Sequence, residues 1–167
     1  SQVDFSDPLI SGVKELIVTG SSAPPVKSIA DLAGKEIHVR RSSSYYESLT
    51  QLNESFHQSG KPKMKLVAAD ENFEDEDLLE MVNAGLIPMI IMYSHKAQFW
   101  TQIFEKIKVR SEINVRTGGE IAWAFRKNSP KLKAVINDFV AGEIEHAVWR
   151  AWNDLRPDVI VVEGKGS

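Results

Sequence analysis

The sequence predicts an α/β fold, a three-layer α/β/α arrangement in which helices flank a mixed, mostly parallel sheet. Segments with strand-type and helix-type patterns alternate along most of the chain. The run 87–92, Ile-Pro-Met-Ile-Ile-Met, is apolar throughout, which is typical of a strand covered on both faces. The chain has 167 residues, 43% of them hydrophobic, which is enough for one core without a disulfide or a metal to stabilise it. These observations predict one ordinary globular domain.

The predicted elements follow one another in a strand and helix rhythm. Strands are expected to end at glycine or polar turns, and helices to begin at serine or acidic caps. On this basis the strands are 14–20, 36–40, 65–69, 87–92, 113–115, 120–125 and 158–162. The helices are a single turn at 29–32 and longer segments at 45–57, 74–84, 94–104 and 129–155.

Local signals justify the elements of the first half. Gly20 ends the first strand, and the stretch 21–25, Ser-Ser-Ala-Pro-Pro, is the clearest linker in the chain. Ser28 can cap the single turn that follows. Apolar residues then recur every three or four positions from Tyr45, and the segment 59–62, Ser-Gly-Lys-Pro, is a strong stop signal.

Comparable signals mark the second half. The acidic run 70–77 places carboxylates at the start of a helix, where the helix dipole favours them, and it lacks the spacing of a calcium loop. Gly85 suits the end of that helix, and Ser94 can cap the next one. Pro130 opens the last helix. Gly142 lies where it would interrupt the apolar stripe of that helix.

Composition and missing motifs exclude several classes of function. Lysine and arginine number 20, and aspartate and glutamate 23, so the net charge of -3 provides no global attraction to nucleic acid or anionic lipid. The absence of cysteine excludes thiol catalysis and iron–sulfur clusters. No His-Glu-x-x-His, nucleophile elbow, phosphate-binding loop or dinucleotide fingerprint occurs in the chain. The sequence therefore predicts no cofactor, no metal and no nucleic-acid partner.

The sequence also lacks the usual patterns of a membrane-spanning helix and of a signal peptide. No apolar stretch approaches the roughly 18 residues of a membrane-spanning helix. The first residues, Ser-Gln-Val-Asp, have neither the basic start nor the apolar body of a signal peptide. We therefore expect a soluble chain that is mature or excised.

The segment 40–47, Arg-Arg-Ser-Ser-Ser-Tyr-Tyr-Glu, lies where a strand should pass into a helix. Free amides of the first helical turn, serine hydroxyls and two guanidinium groups could converge there on one carboxylate or phosphate. In the alternative interpretation one serine caps the helix, Glu47 completes a capping box and the arginines are solvated. The candidate ligand-binding residues of this segment are Arg40, Arg41, Ser42, Ser43, Ser44 and Tyr45.

The residues after the apolar strand 87–92 are a second candidate group. Loops at the carboxyl ends of parallel strands form the binding face of an α/β sheet. His95 could act there as a general base beside Ser94 or Tyr93, or it could merely line a pocket. Trp123, like the tryptophans near the C-terminus, lies in an apolar run and is interpreted as core.

Several segments resemble a known family. Residues 3–9 and 29–35 resemble, in order and spacing, the part of type 2 periplasmic solute-binding proteins that runs from the end of lobe one through the first hinge strand into lobe two. Three further segments are similar to the solute-binding domain of membrane-bound lytic transglycosylases of the F type: 40–49, 76–86 and 121–130. The resemblance covers roughly residues 3–139.

The resemblance implies a two-lobed clamp that closes on a small ligand. It divides the chain into the end of lobe one with a hinge strand (1–26), lobe two (27–118), and a return hinge strand with a long helix and tail (119–167). Ser42, Ser43 and Ser44 would form the ligand loop of lobe two. In amino-acid binders of this class an aspartate receives the ligand's amino group, and the matching position here is Tyr93, which offers no negative charge near pH 7. Tyr93, Ser94 and His95 therefore complete the predicted ligand site.

The resemblance also implies which activities this chain lacks. The lobe-one arginine that clamps a ligand carboxylate should precede residues 4–6, and nothing after Phe139 resembles the catalytic domain of the transglycosylases. We therefore expect a non-catalytic domain that recognises a small anionic envelope metabolite, an amino acid or a peptidoglycan peptide, and that regulates an attached or partner transglycosylase. The full-length protein would be periplasmic or associated with the outer membrane.

Two alternatives stay open at this point. The first is a fragment of a peptidoglycan-cleaving enzyme that uses Glu47 or His95. The second is an interaction module, with a homodimer formed through an exposed lobe surface or through the hinge strand 14–20.

Overall fold

The computed structural model describes residues 3–141 and the backbone of residues 159–162. Its strands are β1 (Val3–Phe5), β2 (Ile10–Thr19), β3 (Glu36–Val39), β4 (Lys65–Ala68), β5 (Met89–Tyr93), β6 (Lys108–Arg126) and β7 (Val159–Val162). Its helices are α1 (Ser44–Gln58), α2 (Asp75–Asn83), α3 (Ser94–Trp100) and α4 (Pro130–Val140), with a 3-10 turn at Ile29–Leu32. The order of elements is the alternating α/β pattern that the sequence predicts.

The chain divides into two compact units. The larger unit comprises residues 14–117, and the smaller one comprises residues 1–13 together with 118–167. Strands β2 and β6 both contribute residues to each unit because each strand passes through a boundary.

The larger unit contains a mixed sheet with the strand order β6–β2–β5–β3–β4. Strand β3 pairs in parallel with β4 and with β5, whereas β2 pairs antiparallel with β5. The mixed sheet of an α/β fold is thus confirmed, with its parallel part formed by β4, β3 and β5. The expectation that it is mostly parallel is not met, because β2 and β6 pair antiparallel with their described partners. Strand β2 has a neighbour on each side, so the segment 14–19 is not an open edge for strand exchange.

The core of the larger unit lies around β5. All five residues of β5 are buried, as expected for an apolar strand covered on both faces. Leu79 and Val82 of α2 pack in one cluster with Val18, Ile90 and Met92 of the sheet. Helix α2 is therefore held by its apolar face.

Gly20 allows β2 to end close against α2. A Cβ atom at this position would collide with the backbone carbonyl of Val82 near the end of the helix. The glycine that ends the predicted strand is therefore required by packing as well as by the turn.

The smaller unit has its own sheet and a small core. Strand β6 pairs antiparallel with β1 and with β7. Phe125, Leu132 and Ile136 form a buried cluster, and Trp123 packs against it and stacks on Phe139 at 5.3 Å. Trp123 is thus a core residue, as interpreted from the sequence.

Several elements differ from the sequence-based expectation. Strand β1 was not expected, and β2 begins at Ile10 rather than at residue 14. Strand β6 is continuous over residues 108–126, although only 113–115 and 120–125 were expected, because the strand continues through Gly118 at a φ of 77°. Helix α3 ends at Trp100 and is followed by turns rather than reaching residue 104. Helix α4 is described up to Val140, and the remainder of the expected helix 129–155 lies outside the described residues.

A helix must be long and apolar to cross a bilayer, and no helix in the described part of the chain meets this requirement.

Candidate functional site

The candidate site lies in the larger unit, where β3 and β5 pass into helices. The two strands are parallel neighbours, with His38 opposite Ile90, so their carboxyl ends meet at one edge of the sheet. Helix α1 begins shortly after β3, and α3 begins directly after β5. The structure therefore brings the two predicted groups of residues, 40–45 and 93–95, to the same edge.

A pair of tyrosines joins the two groups. The hydroxyl oxygens of Ser44 and Tyr93 lie 2.9 Å apart and share a hydrogen bond. The backbone amide of Tyr93 donates to the Tyr45 hydroxyl at 3.1 Å, and the two tyrosine rings are 4.8 Å apart. His95 stacks on Tyr93 with ring centroids 5.9 Å apart. The predicted residues Ser44, Tyr45, Tyr93 and His95 thus form one connected group.

A buried ion cluster underlies this group. Asp75, at the start of α2, has a side chain that is only 6% exposed. Its carboxylate accepts a hydrogen bond from Arg40 Nη2 at 3.0 Å and another from Lys96 Nζ at 3.0 Å. The Tyr45 hydroxyl also approaches Asp75 Oδ2, at 3.4 Å. One carboxylate therefore holds cations from the loop after β3 and from α3.

Arg40 consequently has a different position from the one expected of a free ligand-binding guanidinium. Its Nη2 is committed to Asp75, and its Nη1 lies 3.8 Å from the exposed carboxylate of Glu74. Its side chain remains 19% exposed, and that of Lys96 29%. Both groups carry further N–H donors, so the cluster still offers donors at the sheet edge, although the charges of its two cations are balanced by Asp75 and Glu74.

The loop before α1 is tied down by Glu71. The Glu71 carboxylate accepts hydrogen bonds from the Ser42 hydroxyl and from the Arg41 backbone amide. The Ser42 hydrogen bond is the main reason why the pKa of Glu71 is below its usual value. The side chain of Arg41 is exposed and pairs with none of the described residues. Arg41 is therefore the predicted guanidinium that a ligand could reach directly.

The serine run is used differently from the predicted cradle. The Ser43 hydroxyl donates to the Arg40 carbonyl at 2.8 Å, so it turns away from the helix that it precedes. Ser43, the N-cap residue, makes no side-chain capping hydrogen bond to α1, and no capping box forms there among the described residues. The first amides of α1 therefore keep the anion-attracting character of an uncapped helix N-terminus. Ser44, rather than Ser42 or Ser43, has its hydroxyl in the tyrosine group.

Ser94 has a structural contact at the same edge. Its hydroxyl accepts a hydrogen bond from the Lys14 backbone amide at 3.3 Å, which joins the start of α3 to β2. Ser94 therefore connects the strand β2 to the candidate site.

Sequence analysis missed three residues of this region. Asp75 and Lys96 form the ion cluster, but acids at a helix start are usually solvated, so the acidic run gave no sign of a buried member. Glu15 lies on β2 opposite Tyr93 and is only 3% exposed. Burial raises the pKa of Glu15, opposed by the Ser48 hydroxyl and the Arg116 guanidinium. A charged residue directly before the apolar run 16–18 was the available signal for Glu15.

Solved structures with the same fold are solute-binding proteins and related domains. The GluR0 ligand binding core in complex with L-glutamate superposes with a TM-score of 0.65 and 15% sequence identity, covering 92% of this chain and 63% of that one. The substrate binding protein of an amino acid ABC transporter gives a TM-score of 0.64 and 22% identity, covering 90% and 64%. The fold is therefore that of the type 2 periplasmic solute-binding proteins.

Sequence relatives are named as cell-wall enzymes. The membrane-bound lytic murein transglycosylase F of Desulfosudis oleivorans is 29% identical over 136 residues, which is 81% of this chain and 28% of that protein. The protein of the same name from Saccharophagus degradans is 29% identical over 126 residues, or 74% and 23%. This chain thus spans about a quarter of the length of the transglycosylases that it matches, and the expected similarity to them is confirmed.

A family model gives a different match. Residues 101–167 match a domain of unknown function, DUF1611_C, described as a P-loop domain. The matched segment contains no Gly-x-x-x-x-Gly-Lys-Ser/Thr sequence, which is the part of a P-loop that binds phosphate. Less than half of the chain is covered, and this match does not support the fold found by the structural comparison.

Proposed function

We propose that this chain is a non-catalytic ligand-binding domain that recognises a small anionic metabolite of the cell envelope, an amino acid or a peptidoglycan peptide. The observation that carries the proposal is the meeting of cations, hydroxyl groups and an uncapped helix N-terminus at one sheet edge. The fold supports a binding role, since the solved structures with this fold include a substrate binding protein and a ligand binding core.

The hydrogen-bond donors of the edge favour an anionic group. Arg40 and Lys96 share the carboxylate of Asp75, Glu74 lies near Arg40, and the exposed guanidinium of Arg41 keeps its donors accessible to a ligand. The first-turn amides of α1 have no side-chain cap and favour an anion through the helix dipole. The Ser44 and Tyr93 hydroxyls add hydrogen-bonding groups of the kind that fix a ligand's orientation.

The affinity of this chain by itself should be weak. In the proposed assignment, residues 27–118 are lobe two of a clamp, and further ligand contacts belong to lobe one. One or two charge-assisted hydrogen bonds contribute roughly 1.5 to 3 kcal/mol each. Millimolar binding corresponds to about -4 kcal/mol, so we expect millimolar or weaker dissociation constants.

The names of the sequence relatives suggest a role for this domain in the whole protein. Because they are named membrane-bound lytic murein transglycosylases, we propose that ligand binding regulates an attached or partner transglycosylase. We propose that the full-length protein is periplasmic or associated with the outer membrane, where peptidoglycan fragments would be accessible. A lytic transglycosylase assay of the full-length protein with and without muropeptides would test this regulation, and unchanged turnover would contradict it.

The binding proposal is tested by an amide NMR titration with amino acids, muramyl peptides and simple anions. We expect saturable shifts at residues 40–47 and 93–96, and a loss of at least about tenfold in affinity for the double variant Arg41→Ala, Ser44→Ala. The variant Lys27→Ala, which removes an exposed cation of the same unit, is the control and should bind as the wild type does. Unchanged binding in the double variant would refute the site, and a folded spectrum without shifts for any compound would refute the function.

Self-association is a separate proposal about the partners of this chain. Three large apolar side chains of the larger unit are strongly exposed: Leu86, Phe99 and Ile103. Exposed apolar side chains favour contact with a second copy when they form a patch. Sedimentation velocity between micromolar and millimolar concentration should show a dimer, and a single monomer peak throughout would contradict it.

A further inference from the structure

Strand β4 ends the sheet of the larger unit on one side. In the described part of the chain it pairs with β3 alone and stands last in the strand order. The amides of Lys65 and Ala69 donate to carbonyl groups beside the two ends of β3, at 2.8 and 3.0 Å. Backbone groups alternate sides along a strand, so those of Leu66 and Ala68 point away from β3. Such outward amides and carbonyls are a template for one more strand.

The open stretch of β4 is short because both of its ends are closed. Asn53 of α1 accepts a hydrogen bond from the Met64 amide at 2.6 Å and donates to the Met64 carbonyl at 3.2 Å, as a neighbouring strand would. Met64 lies two residues before Leu66, so its backbone groups point to the same side. At the other end, the Asp70 carbonyl is used in a turn. The backbone groups left open are those of Leu66 and Ala68, which we call the β4 edge.

The charges beside the β4 edge are segregated along the chain. Exposed lysines precede it: Lys61, Lys63 and Lys65. Exposed acids follow it: Asp70, Glu71 and Glu74. Lysines on an edge strand usually oppose pairing with another strand. In an antiparallel pair of two copies of this chain, the basic side of each copy instead faces the acidic side of the other. A second copy is therefore the partner whose charges fit this edge.

We propose that the β4 edge binds a second copy of this chain, with the two strands antiparallel about a two-fold axis at Val67. In this register Leu66 of one copy lies opposite Ala68 of the other, and each such pair exchanges two backbone hydrogen bonds. The same register brings Lys63 of one copy close to Glu71 of the other. The closed groups at either end of the edge leave this register as the one that pairs both open residues.

This dimer is independent of the other proposals. The β4 edge shares no residue with the exposed apolar side chains Leu86, Phe99 and Ile103, or with the ligand site. Because the pairing is short and its charges are exposed, the dimer should be weak and sensitive to salt. Raising sodium chloride from about 50 mM to about 500 mM should raise its dissociation constant at least about threefold.

Two variants interrupt the β4 edge in different ways. Ala68→Pro removes an outward amide and spares the bonds to β3, since an edge strand tolerates proline where the N–H faces solvent. Lys65→Glu reverses a charge that faces the acidic side of the other copy. In sedimentation velocity from about 10 µM to about 1 mM, each should raise the dissociation constant at least about tenfold. Lys27→Glu, an exposed charge reversal in the same unit, is the matched control and should associate as the wild type does.

NMR of the wild-type chain locates the pairing directly and serves where Ala68→Pro does not fold. In a mixture of isotopically labelled and unlabelled chains, NOE contacts between copies should join the α protons of Val67, which lie close together in a non-hydrogen-bonded antiparallel pair. The amides of Leu66 and Ala68 should exchange more slowly with solvent as the concentration rises. The Lys65 amide, already bonded beside β3, should not respond.

The possible outcomes distinguish the β4 edge from the apolar side chains. A monomer at every concentration overturns the inference, and so does a dimer that is as stable in Ala68→Pro and Lys65→Glu as in the wild type. Ile103→Lys should keep the dimer that forms through β4. Association that is lost in Ile103→Lys and kept in Lys65→Glu would assign the contact to the apolar side chains and overturn the role of β4.

Discussion

The buried carboxylate of Asp75 positions the charged side chains of the candidate site. It holds Arg40 from the loop after β3 and Lys96 from α3, and it lies within reach of the Tyr45 hydroxyl. The carboxylate therefore positions the cations that we assign to ligand binding. Removing its charge should loosen both cations at once.

Replacing Asp75 with asparagine should destabilise the chain by about 2 kcal/mol. Breaking a buried ion pair on one side typically costs about 3–5 kcal/mol, and partial exposure of Arg40 and Lys96 reduces that figure. Urea unfolding at neutral pH measures the change. Glu76→Gln, at the next position of α2, is the control and should alter the free energy of unfolding by less than about 0.5 kcal/mol. Equal effects of the two substitutions would contradict the structural role of Asp75.

Glu15 should make the stability of the chain depend on pH. Burial raises the pKa of Glu15 above its ordinary value, so the folded chain holds this proton more tightly than the unfolded chain. The resulting stabilisation is fully present below the ordinary glutamic acid pKa of about 4.3 and is lost as the pH rises through the raised value. In Glu15→Gln this loss should be absent. Urea unfolding of both chains across this range checks the prediction, and parallel pH profiles would exclude it.

Sequence reasoning located single residues of the site less well than it located the elements that carry them. The Arg40–Asp75 pair joins residues 35 positions apart, and its existence depends on how α2 packs against the sheet. A local sequence pattern shows that an acidic run favours a helix start. It does not show how that helix packs in the folded chain. The tyrosines show the opposite case, because Tyr45 and Tyr93 each follow a predictable strand and so reach the predicted edge.

The elements themselves follow from local patterns wherever the pattern is complete. The bounds of α1, Ser44–Gln58, differ by one residue at each end from the expected 45–57, since apolar spacing and the stop signal agree there. Strand β6 was expected in two pieces because its middle contains Gly118 and Gly119, which are poor strand formers. Neighbouring strands on both sides of β6 supply pairing that such propensities do not include.

Asn53 links α1 to the segment before β4. Its side chain accepts a hydrogen bond from the Met64 amide at 2.6 Å and donates to the Met64 carbonyl at 3.2 Å. Asn53→Ala should lower the free energy of unfolding by about 2 kcal/mol, because it leaves buried backbone groups unpaired. Gln51→Ala, an exposed change on the same helix, should have little effect. Urea denaturation of both variants tests this link. Wild-type stability in Asn53→Ala would contradict it.

For the molecule as a whole, stability should be distributed unevenly. Strand β5 is buried throughout and lies between β2 and β3 in the larger unit. Its amides should exchange with solvent only by the largest unfolding reaction of that unit. The short strand β1, whose residues are mostly exposed, should exchange at least about a hundredfold faster. Native-state hydrogen exchange by NMR measures both, and equal protection of β1 and β5 would contradict the prediction.

The contact between Tyr45 and Tyr93 gives the site a built-in optical signal. Two phenol rings 4.8 Å apart and tilted by 59° form an asymmetric chromophore pair, and near-ultraviolet circular dichroism is sensitive to such fixed aromatic packing. The Tyr93 hydroxyl is hydrogen-bonded to Ser44, so any molecule that displaces this bond perturbs one ring of the pair. Occupancy of the edge can therefore be followed spectroscopically in the unlabelled protein, at the high solute concentrations that weak association demands.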